Sequence, residues 1–89
     1  MLVKYHPKVK SEDFDRLDKS VWIRLDKAIQ ERLLADPVRA GQFLRQGLIG
    51  CRKFRVGDYR IIYEFDGKQV AILAIGHRRD IYKRAGKRV

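Results

Sequence analysis

The stretch FRVGDYRIIYEF, residues 54–65, sets a Gly57-Asp58 pair between two runs of strand-forming residues. Such a pair marks a two-residue hairpin turn, which needs a left-handed backbone that glycine adopts without steric cost. Closing the hairpin there sets the register: Val56 faces Tyr59, Arg55 faces Arg60, and Lys53 lies two residues along on the Arg55 face. Like charges directly opposite each other cost a few tenths to about 1 kcal/mol. No acidic residue is interleaved to neutralise them, since Glu64 is the nearest carboxylate on that face of the middle strand. A cluster kept against its own repulsion marks a functional face. Phosphate oxygens are its simplest ligand, because a guanidinium group can grip them with two parallel hydrogen bonds.

Downstream, Asp66-Gly67 is a second turn signal, and Val70–Ile75 reads as a third strand. A two- or four-residue loop puts the odd residues of this strand on the Arg60 side, so Leu73, Ile75 and His77 are expected there. A bulge would break that inference. The other face, with Phe54, Tyr59, Ile61, Tyr63, Phe65, Val70 and Ile72, is the more apolar and should carry the helices.

Upstream, residues 2–6 alternate as a short strand before Pro7. Ser11 is a candidate helix cap, with Glu12 and Asp13 in the first turn and Phe14 and Leu17 as the apolar stripe. A longer helix runs from about Val21 to Ala35, with Trp22, Leu25, Ile29 and Leu33 on its core face and Asp36-Pro37 as its stop. Residues 38–50 form a connector anchored by Phe43 and Leu44, and the basic tail from Tyr82 to Val89 is a last short helix or a loose end. The order β-α-α-β-β-β describes an α+β fold: an antiparallel meander with a helical hairpin on one face, in one domain over residues 1–89.

Charge narrows the partner. Residues 1–49 carry 10 basic and 7 acidic side chains, residues 50–89 carry 11 and 4, and the whole chain is formally +10. The excess lies in the half that holds the hairpin, which points to a polyanion, either nucleic acid or an acidic protein. No apolar run approaches the 18 residues of a membrane span, and no signal peptide is visible. Cys51 is the only cysteine and reads as a small buried residue in a reducing, cytoplasmic setting, with no metal-ligand cluster beside it. His6 and Trp22 read as structural.

The third strand leads into IGHRRDIYKRA, residues 75–85. A histidine such as His77 can move a proton, and Tyr82 can stack on a base or orient a hydroxyl. With Lys53, Arg55 and Arg60 they converge on one candidate site.

CRKFRVGDYRIIYEF followed by IGHRRDIY resembles the RelE/ParE superfamily of toxins from type II toxin–antitoxin pairs, over nearly the whole chain. The resemblance implies a ribosome-dependent endoribonuclease. It would cut mRNA in the A site of the 70S ribosome by attack of the ribose 2′-hydroxyl on the adjacent phosphate, without metal or other cofactor. It implies catalytic positions at Lys53, Arg55, Arg60, Arg78 and Tyr82, to which the chemistry adds His77 as proton donor and Lys53 as base. The RNA-binding surface would comprise Lys53, Arg55, Arg60, Arg78, Arg79, Lys83 and Arg84. It also implies an adjacently encoded antitoxin with an acidic or amphipathic segment. The alternatives are a ParE-type gyrase poison on the same fold, and a basic module that binds RNA or ribosomes without cutting.

Overall fold

The hairpin forms as its turn demands. Strands β3 (Arg52–Val56) and β4 (Tyr59–Phe65) pair antiparallel, with Arg55 opposite Arg60 and Val56 opposite Tyr59. Gly57 takes φ 58° at the first turn position, where a Cβ would be strained. Strand β5 (Gln69–His77) completes the meander. Its turn is closed by the Asp66 carboxylate, which accepts the N–H groups of Lys68 and Gln69 at 2.8 Å each. These features come from a computed structural model that describes residues 1–45 and 47–89; Gln46, inside the expected connector, lies outside the described residues.

Two further strands widen the sheet to the order β1-β5-β4-β3-β2. Strand β1 (Leu2–Tyr5) lies parallel to β5, pairing Leu2 with Gln69 and Tyr5 with Ile72. The sheet is therefore mixed, where an all-antiparallel meander was expected. Running with β5 lets the segment after β1 continue along the same edge of the sheet. Strand β2 (Gln42–Phe43) pairs antiparallel with β3 and sets Gln42 opposite Lys53. It falls inside the connector and, at two residues, has no periodicity to read.

The long helix ends before Asp36-Pro37 as expected, and both prolines also open the helical segment that follows them. Proline suits the first helical position, since its missing N–H would have no partner there. After Pro7 the chain winds through a π-helical turn, Val9–Asp13, into a 3₁₀ turn, Phe14–Arg16. The cap comes from His6, whose carbonyl accepts Val9 N–H at 2.9 Å and whose Nδ1 accepts Lys8 N–H at 3.0 Å. Ser11 lies within the π-helical turn and caps nothing. Helix α1 (Lys19–Ala28) starts two residues before the expected Val21 and continues as a π-helical turn, Ile29–Leu33. Asp36 accepts Arg39 N–H at 3.2 Å and caps a short α2 (Pro37–Ala40). The C-terminal end forms α3 (Ile81–Gly86).

The helices divide between the two faces. Leu25, Ile29 and Leu33 pack on Phe54, Ile61, Tyr63, Val70 and Ile72, all buried, on the face expected to carry them. Fully burying such side chains contributes about 1.5–3 kcal/mol each. Phe14 and Trp22, with ring centroids 4.6 Å apart, join Tyr5 beside this core. On the opposite face Ile81 and Ala85 of α3 cover Ile62, Ala74, Cys51 and Leu48. Leu48 anchors the connector, whereas Phe43 is 62 % exposed and lies under the Arg52 guanidinium at 3.9 Å. Among the described residues no helix is long and apolar enough to cross a membrane.

One irregularity reorders a face. Tyr63 pairs with Ile72 but Ile62 pairs with Ala74, so Leu73 is an extra residue in β5. Beyond this bulge Arg60 pairs with Gly76 and Tyr59 with His77. Ile75 and His77 thereby move to the face packed by α1, away from the side the simple register assigned them.

Candidate functional site

The cations that face one another across the hairpin line a cleft of about 240 Å³. Lys53, Arg55 and Arg60 form its strand wall, and Arg39, Ala40, Gly41 and Gln42 form the other. Its charged lining is entirely cationic. Among the described residues no ion pair involves Lys53, Arg55 or Arg60.

Arg60 is held in place by its own turn. It is 8 % exposed, and its Nη1 donates to the carbonyls of Gly57 at 2.8 Å and Tyr59 at 2.9 Å. Backbone carbonyls fix its orientation without neutralising its charge. The remaining donors of its planar fork can serve an anion. Arg55, its partner across the strands, is exposed, and Lys53 is half-buried.

The wall containing Arg39 and Gln42 escaped the reading of the sequence. It is seated by buried Tyr63, whose Oη donates to Pro37 O at 2.7 Å, and by Arg52 Nη1, which donates to Val38 O at 2.9 Å. A Cβ on Gly41 would meet Lys53 O and Tyr63 Oη at 2.5 Å, so glycine lets this wall lie flush against β3 and β4. The Asp36-Pro37 cap signal and Gly41 were the available clues.

The C-terminal candidates separate. His77 stands beside Tyr59, with ring centroids 5.9 Å apart, and its Nδ1 accepts Arg79 N–H at 3.3 Å. The bulge thus removes it from the Arg60 side. Tyr82 is half-buried on α3, which covers the face that Arg60 shares with Ile62. Arg78 donates its backbone N–H to Asp58 O at 2.8 Å, and its exposed side chain lies 3.9 Å from the Asp58 carboxylate. Arg79 and Lys83 are exposed. Arg84, expected to bind RNA, instead bonds Asp13 and lies near Asp80, so its charge is committed within the fold.

Asp13 is the structural anchor least visible in the sequence. It is fully buried and accepts from Ile75 N–H at 2.8 Å, from Arg84, and from both terminal nitrogens of Arg88. Arg88 also reaches Leu73 O at 3.0 Å and Glu12 at 3.1 Å. The hydrogen bond to Asp13, more than any other influence, pushes the Arg88 pKa up. Together these groups satisfy the edge of β5 that β1 no longer covers, and they fasten α3 to the sheet.

Cys51 lies deep in the second core, 3.7 Å from Glu64. Burial first, then the adjacent carboxylate, pushes its thiol up to about 11. It is therefore no nucleophile at neutral pH. Among the described residues no group of three His, Cys, Asp or Glu side chains could hold a metal ion. What the cleft can do is bind a phosphate group and stabilise negative charge developing on it.

Known proteins share this sequence and shape. The family described as "ParE toxin of type II toxin-antitoxin system, parDE" matches residues 3–82. Toxin RelG of Mycobacterium tuberculosis is 43 % identical over 54 residues, covering 58 % of this chain and 62 % of RelG, under two thirds of that relative's length. Toxin RelE of the same organism is 32 % identical over 75 residues, covering 82 % of this chain and 77 % of RelE. The crystal structure of the toxin–antitoxin complex RelBE2 from M. tuberculosis superposes with a TM-score of 0.78 at 28 % identity, over 86 % of this chain and 96 % of that one. A mutant of E. coli toxin RelE in the free state shares the fold, with a TM-score of 0.73 at 24 % identity over 99 % and 96 % of the two chains.

Proposed function

The chain belongs to the ParE toxin family of type II toxin–antitoxin systems, and from that premise we propose that it is a RelE-type toxin that cuts messenger RNA in the ribosomal A site. The observation that carries this reading is the cleft whose charged lining is wholly cationic, with Arg60 buried in it and bonded only to carbonyls. In this reading Arg55 and Arg60 hold the scissile phosphate and stabilise the charge gained as the ribose 2′-oxygen attacks it. Lys53, beside them on the same wall of the cleft, takes the 2′-hydroxyl proton. The bond to the 5′-oxygen breaks, water in the open cleft protonates that leaving oxygen, and the products are a 2′,3′-cyclic phosphate and a free 5′-hydroxyl. Tyr82 orients the nucleotide, and Arg78, Arg79 and Lys83 add charge along the RNA path. In this reading His77 takes no part in proton transfer, since the register pairs it with Tyr59 rather than placing it on the Arg60 face.

The partner follows from the same surface. RelBE2 was solved as a toxin–antitoxin complex, and a neutralising antitoxin with an acidic segment is proposed for this chain. A second reading, poisoning of DNA gyrase, is favoured by the parDE description of the matching family.

One assay separates them. Purified protein is incubated with 70S ribosomes programmed with a defined mRNA, and the 5′ ends are mapped by primer extension. A cut in the A-site codon, absent with Arg55→Ala, supports the nuclease. Intact mRNA with folded protein overturns it, and a supercoiling assay then tests gyrase.

A further inference from the structure

The two walls of the cleft differ in chemistry. The strand wall carries Lys53, Arg55 and Arg60; the other carries one cation, Arg39, and places the neutral carboxamide of Gln42 directly across from Lys53. Opposed residues of an antiparallel pair project from the same face with Cβ atoms about 4.5–5.5 Å apart. Gln42 is exposed, and no hydrogen bond among the described residues uses its amide. A carboxamide offers one acceptor and two donors, the complement of a nucleobase edge. Sequence-selective proteins read unstacked RNA bases through hydrogen bonds to such edges.

The position is also rigid. Tyr63 and Arg52 tether the backbone at Pro37 and Val38, Asp36 caps the turn, and Gly41 permits close contact with β3 and β4. The cleft, at about 240 Å³, is smaller than the roughly 300–1,000 Å³ of a site that encloses a drug-sized ligand, so it has room for a phosphate and the edge of one base rather than for a whole enclosed nucleotide.

We propose that Gln42 forms a nucleobase subsite beside the phosphate site: its carboxamide hydrogen-bonds the edge of the base whose phosphate lies between Arg55 and Arg60, and Arg39 meets the next phosphate. The subsite rests on the phosphate reading of the cleft and adds base selectivity to it.

The test needs no ribosome. Isotope-labelled protein is titrated with inorganic phosphate and with AMP, GMP, CMP and UMP while amide signals are followed by NMR. Phosphate and all four nucleotides should move signals at Arg55 and Arg60. The Gln42 side-chain amide should move with nucleotides alone. Affinities should differ among bases by about three- to tenfold, the scale of one neutral hydrogen bond. Gln42→Leu should level them. Equal affinities for the four nucleotides, or a Gln42 amide that stays still, would overturn the subsite and leave the phosphate site standing. No response of Arg55 and Arg60 to phosphate or nucleotide would overturn both.

Discussion

Asp13 and Arg88, 75 residues apart, form a two-pronged ion pair with both hydrogen bonds at 2.8 Å. Asp13 is fully buried and the Arg88 side chain is 3 % exposed. Replacing Asp13 with alanine removes the buried carboxylate shared by Arg84, Arg88 and the Ile75 N–H, leaving Arg88 only Glu12 and the Leu73 carbonyl. Breaking a buried pair from one side costs about 3–5 kcal/mol. Urea denaturation of Asp13→Ala should show a loss of that size, and a change below about 1 kcal/mol would show that the network is dispensable.

Arg60 and Arg55 should part company when mutated. The simple expectation from a repelling pair is that Arg60→Ala leaves stability unchanged or raises it. The structure gives Arg60 two backbone acceptors and near-complete burial. Arg60→Ala should therefore cost about 1–3 kcal/mol as well as lowering cleavage by at least about 10²-fold. Arg55 is exposed, so Arg55→Ala should lower cleavage while stability stays within about 0.5 kcal/mol. Thermal melts run beside the ribosome assay check both.

The bulge at Leu73 makes a separate prediction. His77→Ala should retain cleavage within about threefold, because the ring lies with Tyr59 on the other face. A loss approaching the 10²-fold or more typical of a removed acid or base would return His77 to the reaction.

Cys51 reports on alkaline stability. Its thiol is raised from 9.0 in the free side chain to about 11 in the fold. Below pH 9 folded and unfolded chains both keep the proton, and the full benefit of burying a neutral thiol is present. Between pH 9 and about 11 the unfolded chain loses its proton first, so stability falls by up to about 1.4 kcal/mol per pH unit. Urea midpoints from pH 8 to 11 should decline less steeply for Cys51→Ala. Burial also raises Tyr5 and Tyr63, so a residual decline remains in the variant.

Capture of the proposed antitoxin should weaken as salt rises, since exposed Arg55, Arg78, Arg79 and Lys83 would supply much of the attraction. Affinity that is flat from about 0.05 to 0.5 M salt would mean that charge neutralisation does not drive the complex.

The hairpin was legible because Gly57-Asp58 pins its register, and Arg55 does face Arg60. The long helix was legible because Leu25, Ile29 and Leu33 recur at helical spacing and are all buried. Past Ile62 the reading failed: the Leu73 bulge carries no glycine or proline to announce it, and one extra residue inverts every side chain beyond it. Strand β2 has too few residues for a pattern, although Gln42 helps to build the cleft. Arg84 lies on α3 and Arg88 just past its end. Their common acid is more than 70 residues away, a pairing that only the tertiary fold creates.

The distance between Asp13 and Arg88 also sets an order of events during translation. Strand β1 has no partner until residues 69–72 exist, and α3 is not fastened until residue 88 has cleared the exit tunnel. Contacts of such long sequence separation form late and slowly. A nascent chain therefore completes its cationic hairpin before α3, which carries Tyr82, is fastened to the sheet. In the proposed reading the site is incomplete until the distal arginine arrives, an interval in which the proposed antitoxin would meet the chain first.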